Sequence, residues 1–309
     1  MGEALSTPFE RLRAAAAGLK VPEAVRATMA APPSDPIPGQ VWRAAWQRTV
    51  LILTVLDVAE THVTAIPTSL DVRYHDDTTL LLPKDSSTLQ QPLALWYGLR
   101  EDLPWCVLDR QVAQVAAPLP AQAPTTAASP PPDHQAWGTA IPSPAAPAAE
   151  YRAALFDKTA DLAEAHWAPG GSGDLSGLLV GHGMTTRILT ELLSITPDQA
   201  LALRRGQMPV TPEQADILAP RLDLTTDAVL DANPALPQEL VHELSRPVRR
   251  PQLRALASQL RLTEYQVRTG AAFGSYTLAA RQDPGAGPAP DWPARVDRYF
   301  QLCLQEKRP

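Results

Sequence analysis

The residues best suited to chemistry in this sequence are two adjacent arginines, Arg204 and Arg205, directly before Gly206. A guanidinium is always charged and matches phosphate oxygens, so an arginine pair at the end of a short helix suits contacts to a nucleic-acid backbone. A second interpretation stays open, because basic side chains in the last turn of a helix also stabilise the helix dipole. The helices predicted around Arg204 and Arg205 help to distinguish these two interpretations.

Three short helices joined by tight turns are predicted between Thr185 and Leu224. Thr196 and Thr211 each precede a proline, and a threonine N-cap followed by proline at the first helical position is a common helix start. The stretch "TTRILTELLS" just upstream also has helical spacing. Three helices connected in this way have the arrangement of a helix-turn-helix.

This run resembles the XRE-type helix-turn-helix of bacterial regulators and antitoxins over roughly Leu175 to Asp231. In that resemblance "TTRILTELL" is the first helix, "SIT" the turn, "PDQALALRRGQ" the second helix and "TPEQADILAPRLDL" the helix that closes the core. The resemblance implies that the second helix enters the major groove of duplex DNA. The candidate DNA-binding residues are Thr196, Asp198, Gln199, Leu203, Arg204 and Arg205.

These candidates suggest different roles. Thr196, Asp198 and Gln199 fall at the start of the second helix, and Leu203 is predicted on its exposed side. The amide of Gln199 can pair with the major-groove edge of adenine, whereas the arginines at the helix end suit phosphates. The segment also carries several acidic residues. Regulators of this family often dimerise, which concentrates positive charge, so a homodimer is left open.

The strongest basic cluster of the chain lies between residues 246 and 268. Its members are Arg246, Arg249, Arg250, Arg254, Arg261 and Arg268, with Glu264 as the one acid among them. The stretch "QLRALASQLRLTEYQVRTGAAF" has a second helix-turn-helix rhythm, with Leu262 and Thr263 at the turn. The cluster is interpreted either as a second DNA-binding patch or as a solvated, arginine-rich helical face.

The residues from Gln40 onward have a different character. Segments such as "RTVLILTVLDV" and "HVTAIPTSL" are short, rich in β-branched residues and separated by turn formers, which is typical of strands. Five or six such elements are predicted up to about residue 116. Closing them into a small antiparallel β-barrel removes the exposed edges of the sheet.

This predicted barrel resembles that of MazF/PemK-type toxins, ribonucleases that act without metal, over Pro38 to Val112. The matching stretches are "PGQVW", "RTVLIL" and "AIPTSLD". The resemblance implies that Arg48 and Thr68 serve cleavage, in which a cation stabilises the charge that develops when an RNA 2′-hydroxyl attacks its phosphate. Alternatively, Arg48 opens a strand and Thr68 caps a turn. The aromatic residues of the barrel could likewise stack on RNA, or fill the core and bind a protein partner.

Composition divides the chain into five parts. They are residues 1–36 (a helical preface), 37–116 (the barrel), 117–149 (a proline- and alanine-rich linker), 150–282 (a helical domain) and 283–309 (a tail with an amphipathic helix). The XRE-like motif covers about 175–231 within the helical domain. The expected fold class is therefore α+β, with an N-terminal antiparallel β-barrel and a C-terminal all-α helix-turn-helix domain.

The totals limit the classes of function. The 309 residues carry a net charge of −6, so a DNA-binding site must be a local basic patch. Cys106 and Cys303 are too few for a disulfide framework, and the six histidines lack metal-ligand spacing, so no metal or cofactor is expected. No apolar stretch is long enough to cross a membrane and the first residues carry charges, so we expect a cytoplasmic protein without membrane contact.

Three functions are compatible with these features, in order of preference. The first is a DNA-binding transcriptional regulator or antitoxin-like protein of a toxin–antitoxin or defence-type locus, whose barrel holds a protein partner or RNA. The second is a fused toxin and antitoxin whose barrel is a metal-independent endoribonuclease. The third is a protein-interaction scaffold whose helix-turn-helix has lost its affinity for DNA.

Overall fold

A computed structural model describes residues 23–116, 118–122, 135–143, 146–168, 171, 173–282 and 290–305. Contacts between Cα atoms divide the chain into two units, Met1–Leu103 with Val107–Glu164 and Pro104–Cys106 with Ala165–Pro309. Of the predicted preface, residues 1–22 lie outside the described residues, and the part that follows contains helix α1, Glu23–Ala30.

The first unit contains an antiparallel sheet of eight strands within the described residues. The strands are β1 (Gln40–Trp46), β2 (Thr49–Val58), β3 (His62–Ser69), β4 (Thr79–Leu82), β5 (Leu93–Trp96), β6 (Glu101–Pro104), β7 (Leu108–Gln114) and β8 (Ala136–Trp137). Their order in the sheet is β7-β1-β2-β3-β5-β4-β8, and β6 pairs with β3. The predicted α+β class is confirmed at this level.

Burial alternates along part of strand β2. Along β2, Leu51, Leu53 and Val55 are buried, whereas Val50 is exposed, because successive side chains point to opposite faces of a sheet. Ile52 and Leu56, on the other face of β2, pack against a core of residues from β1, β3, β4 and β5. The two-residue turn between β1 and β2 contains Gln47, at a φ of 48°, which suits the tight turn of a hairpin.

Part of the predicted linker belongs to the sheet. Strand β8 pairs with β4, so that Trp137 lies opposite Leu80. The ring of Trp137 also meets Tyr97 edge to face, with 5.5 Å between the ring centroids. The predicted tether is thus interrupted by a short, packed strand, while residues 117, 123–134 and 144–145 lie outside the described residues.

Helix α2, Pro147–Ala163, packs on the sheet. Nε of Arg152 donates to Oδ2 of the buried Asp76 at 2.9 Å, and the hydroxyls of Tyr151 and Ser69 are 2.8 Å apart. Burial alone would raise the pKa of Asp76. Hydrogen bonds from Thr79, Thr78 and Arg152 outweigh that effect, so the pKa of Asp76 lies below its ordinary value. We predicted this helix as the start of the helical domain, but its contacts assign it to the first unit.

The described residues of the second unit form nine helices. They are α3 (Leu175–Gly181), α4 (Thr186–Leu193), α5 (Pro197–Arg204), α6 (Pro212–Leu222), α7 (Thr226–Asp231), α8 (Gln238–Ser245), α9 (Arg250–Leu260), α10 (Glu264–Gln282) and α11 (Trp292–Gln305). A 3₁₀ turn, Pro247–Arg249, precedes α9. No helix among the described residues has both the length and the apolar character that a membrane crossing needs.

One turn geometry recurs three times in this unit. Ser194, Asp223 and Arg261 each follow a helix and adopt a left-handed backbone, with φ between 53° and 57°. In each case an aliphatic residue and then a threonine follow, and the threonine side chain accepts a backbone N–H at the start of the next helix. The sequence pattern Leu-x-(Ile/Leu)-Thr therefore produces the same sharp reversal between α4 and α5, α6 and α7, and α9 and α10.

Helices α3 to α7 share one hydrophobic core. Leu175, Leu189, Leu203, Leu218 and Val229, one from each helix, are fully buried there. The tail helix α11 packs separately against α10: Val296 and Phe300 are buried, and this spacing of four residues gives α11 the amphipathic face that the sequence predicts.

Candidate nucleic-acid interface

The turn between α4 and α5 fixes the start of α5. Ser194 ends α4 in a left-handed conformation, and Thr196 caps α5. The N–H of Thr196 donates to Oε1 of Gln199 at 3.0 Å, and the N–H of Gln199 donates to Oγ1 of Thr196 at 3.3 Å. This reciprocal capping box satisfies two backbone donors that a helix start otherwise leaves unpaired.

Thr211 and Gln214 form the same capping box at the start of α6. The buried Asn233 then bridges the approach to α6, because its side chain both accepts from the N–H of Val210 at 2.7 Å and donates to the carbonyl of Val210 at 3.1 Å. The end of the segment that connects α5 to α6 is therefore fixed at the start of α6.

The predicted DNA-contacting residues at the start of α5 are accessible. Thr196, Asp198 and Gln199 are all exposed. However, the cap uses Oε1 of Gln199, and a bidentate contact with adenine needs both the oxygen and the nitrogen of an amide. While the cap is intact, Gln199 can offer a base only its amide N–H groups.

The prediction that Leu203 lies on the exposed side of α5 is wrong. Leu203 is fully buried in the core of this unit, as is Ala200. Residues three apart share a face of a helix, so Ala200 and Leu203 together form the inner face of α5. By the same spacing, Asp198, Leu201 and Arg205 lie on the opposite, outer face.

The two arginines that end α5 differ in their surroundings. Nε of Arg204 donates to the carbonyl of Met184 at 3.0 Å, and the carbonyl of Arg204 accepts from Oγ of Ser176 at 2.9 Å. Arg204 thus ties α5 to α3 and to the start of α4. Arg205 is exposed, and its guanidinium has no ion pair within the described part of the chain. Gly206, at a φ of 63°, then turns the chain away.

The second basic cluster is largely folded inward. Arg250 and Arg268 are buried, and both pair with Glu264, at 2.9 Å and 2.7 Å. The half-exposed Arg254 reaches the same carboxylate at 3.1 Å. The Arg268 guanidinium also lies over the ring of Trp167, 5.7 Å from its centroid. One acid therefore forms ion pairs with three arginines from two helices.

Burial and charge shift the pKa values of this ion-pair network in specific directions. Burial lowers the pKa of Arg250 to about 10, against the opposing attraction of Glu264. Burial also disfavours the charged form of Glu264, but Arg250, Arg268 and Arg254 together outweigh it, so the pKa of the carboxyl lies below its ordinary value. The surrounding arginines therefore favour the ionised form of Glu264.

A second set of ion pairs occupies the rest of the cluster. The buried Glu243 accepts from Nε of Arg249 at 2.6 Å and from Nη1 of Arg246 at 2.9 Å. Arg249 also contacts Asp297 on α11. Arg261, in contrast, is exposed at the left-handed position between α9 and α10.

The sheet does not bring Arg48 and Thr68 together. Arg48 is exposed at the turn between β1 and β2, whereas Thr68 is buried in β3, where its Oγ1 lies 2.7 Å from Oγ1 of Thr54. Thr68 follows Pro67, whose partner on β2 is Leu53. At about 3.3 Å per residue, some four residues of strand, or ~13 Å, separate Arg48 from Thr68.

No cluster of three histidine, cysteine or acidic side chains is placed to hold a metal ion within the described residues. The capped helix pair α4–α5 presents the exposed Arg205 at the end of α5. Comparison with known proteins adds no relative: no family model, no curated protein and no solved structure matches the chain.

Proposed function

We propose that the second unit binds duplex DNA through helices α4 and α5, and that the chain acts in the cytoplasm as a transcriptional regulator or antitoxin-like protein. The observation that carries this proposal is the geometry of the helix pair. Two short helices meet at a single left-handed residue, Ser194, on a shared core that leaves the start and the outer face of α5 exposed. A helix held in this way has the form that enters a major groove.

The charges near α5 support modest, salt-dependent binding. Arg205 is available for a phosphate, and the first backbone N–H groups of α5 carry the partial positive charge of a helix start. Asp198 on the outer face opposes an approaching phosphate. With few cations per chain, a homodimer that presents two copies of α5 would double the number of phosphate contacts.

We infer that the sheet of the first unit closes into a small barrel that holds a partner. Ser87 and Val115 form an isolated bridge, and the N–H of Thr88 and the N–H of Ala116 donate to the carbonyls of Gln114 and Ser86, at 3.0 Å and 2.8 Å. These bonds connect the end of β7 with the segment after β4, which supports closure. The ribonuclease hypothesis has no comparable support, since Arg48 and Thr68 lie far apart.

The test is an anisotropy titration of the purified full chain with the DNA upstream of its own coding sequence and with a scrambled duplex, each at several salt concentrations. We expect tighter binding to the upstream DNA and a linear fall of the logarithm of affinity with the logarithm of salt concentration. Equal affinity for both duplexes would remove the regulator role. No binding at low salt by a folded chain would remove DNA binding and favour a protein-interaction scaffold.

A further inference from the structure

A cavity of about 650 Å³ lies between α5, the segment that follows it, α10 and α11. One wall consists of Gln199 and Ala202 on α5, and Met208 lies in the following segment. Phe273 on α10 and Tyr299 on α11 form the opposite wall. The volume falls within the range of about 300–1,000 Å³ that is typical of sites for small molecules.

The cavity lining is uncharged and mostly apolar. Among the described residues that form it, none is an acid, a lysine, an arginine or a histidine. At its mouth Leu262, Tyr265 and Leu302 are 45%, 40% and 37% exposed. Large apolar side chains grouped around a concave opening are a feature of binding sites, and this lining selects against a charged occupant.

Thr269 adds one polar group to the cavity wall. Its Oγ1 is covered and has no hydrogen-bond partner in the described part of the chain. A threonine inside a helix commonly donates to the carbonyl four residues earlier, as Thr159 does to Leu155 at 2.7 Å. Because this oxygen is covered, it can reach a molecule in the cavity only if the side chain rotates about its Cα–Cβ bond.

Two glycines of α10 shape the cavity differently. A Cβ atom at Gly274 would lie 2.0 Å from Cε2 of Tyr299, so this glycine is required for the close packing of α10 and α11. A Cβ atom at Gly270 would meet only Oη of Tyr299, at 3.7 Å, which is an ordinary contact. Gly270 therefore leaves unfilled space next to the cavity rather than relieving a clash.

We propose that this cavity binds an uncharged, mostly apolar small molecule that carries a hydrogen-bond acceptor. The apolar lining would supply most of the binding energy, and the Thr269 hydroxyl would donate to the acceptor. The concave shape favours a small molecule over the flatter surface of a second copy of the chain.

The experiment is a fluorescence titration of the full chain with prodan, an uncharged naphthalene ketone whose emission shifts to the blue in apolar surroundings. We expect one saturable site with a dissociation constant on the order of 10 µM. Gly270→Leu fills the cavity without meeting backbone, and we expect it to weaken binding at least tenfold. Circular dichroism checks that the variant is folded.

Thr269→Val tests the hydroxyl, because valine has nearly the same shape. We expect binding about fivefold weaker than wild type, the value of one hydrogen bond. Thr190→Val is the matched control: its Oγ1 is also buried without a partner among the described residues, but it does not line the cavity, so we expect unchanged affinity.

Three outcomes would overturn the proposal. They are the absence of a saturable change in emission, equal binding by Gly270→Leu and wild type, and equal loss in Thr269→Val and Thr190→Val. Light scattering on the same samples tests the alternative that a second copy of the chain occupies the cavity. A wild-type dimer that dissociates in Gly270→Leu would assign the cavity to a second copy of the chain.

Discussion

The helix pairs α4–α5 and α9–α10 share the same turn and use their arginines in opposite ways. Both turns have a left-handed residue followed by an aliphatic residue and a capping threonine, and in both the cap is reciprocal, with Gln199 in one pair and Gln266 in the other. At α5, Arg205 is exposed. In α9–α10, Arg250 on α9 and Arg268 on α10 are buried against Glu264. The same backbone can therefore present charge to a ligand or hold two helices together.

The acid Glu264 and the two buried arginines that pair with it have no counterparts at the equivalent positions of α4–α5, where Gly183 aligns with Arg250 and Leu201 with Arg268. Glu264 occupies the first turn of α10, where it reaches arginines from α9 and α10 at once. The corresponding position in α5 is Pro197, which has no charge. The turn geometry is common to both helix pairs, so the proposal of DNA binding at α4–α5 also depends on the exposure of Arg205 and of the start of α5.

The largest expected effect is that of Glu264→Gln on stability. The substitution removes the acid that three arginines share, two of them buried, and loss of one partner of a buried ion pair costs about 3 kcal/mol or more. Urea unfolding measures the change. The control is Glu191→Gln, which breaks an exposed pair with Arg187 and should cost less than about 0.5 kcal/mol. A similar small cost for both would contradict the structural role of the network.

The stability contributed by Glu264 also depends on pH. Its pKa in the folded chain is lower than the ordinary 4.5, so the folded state binds the proton less readily than the unfolded state does. The contribution is complete above the unfolded pKa and is lost as the pH falls through the folded pKa. We expect wild type and Glu264→Gln to differ fully at pH 7 and to converge below about pH 4.5. A constant difference at every pH would contradict this.

Substitutions of the two capping threonines distinguish an effect on stability from an effect on DNA binding. Thr196→Ala and Thr263→Ala each remove a capping side chain, and each should lower the free energy of unfolding by about 1 kcal/mol. Only Thr196→Ala should also weaken DNA binding, because only α5 is presented to the groove. Urea unfolding and anisotropy on the same two samples provide the measurement. Equal losses of DNA affinity would mean that both helix pairs contact DNA.

The smallest expected effect is a gain in DNA affinity. Asp198→Asn removes a negative charge from the outer face of α5 and should raise DNA affinity about threefold, since one like-charge contact with a phosphate is relieved. The matched control is Asp227→Asn, an exposed acid in the first turn of α7 behind another threonine cap. If Asp198→Asn instead weakens binding to one duplex only, Asp198 contacts a base.

Local signals in the sequence predicted much of this fold. A threonine followed by proline marked the starts of α5 and α6, and short runs rich in β-branched residues between turn formers marked β2 and β3, because capping and strand propensity depend on neighbouring residues. The burial of Leu203 was predicted wrongly, although Leu203 lies three residues after Ala200 and that spacing places both side chains on one face of α5.

The interactions that could not be predicted join distant residues. Arg249 meets Asp297, which lies 48 positions further along the chain, and Arg152 meets Asp76, which lies 76 positions earlier. Charge counted along residues 246–268 therefore overstated the exposed basic surface. The cavity was equally hidden from the sequence, since it needs a missing side chain at Gly270 and walls from three separate helices.

The most direct test of the central claim compares Arg205→Ala with Arg110→Ala in DNA anisotropy titrations over a range of salt. Each substitution removes one exposed positive charge, the first from the end of α5 and the second from strand β7 of the first unit. We predict that Arg205→Ala weakens binding about fivefold and lowers the salt slope by about one, whereas Arg110→Ala changes neither. Equal effects, or an unchanged slope in Arg205→Ala, would contradict DNA binding through α5.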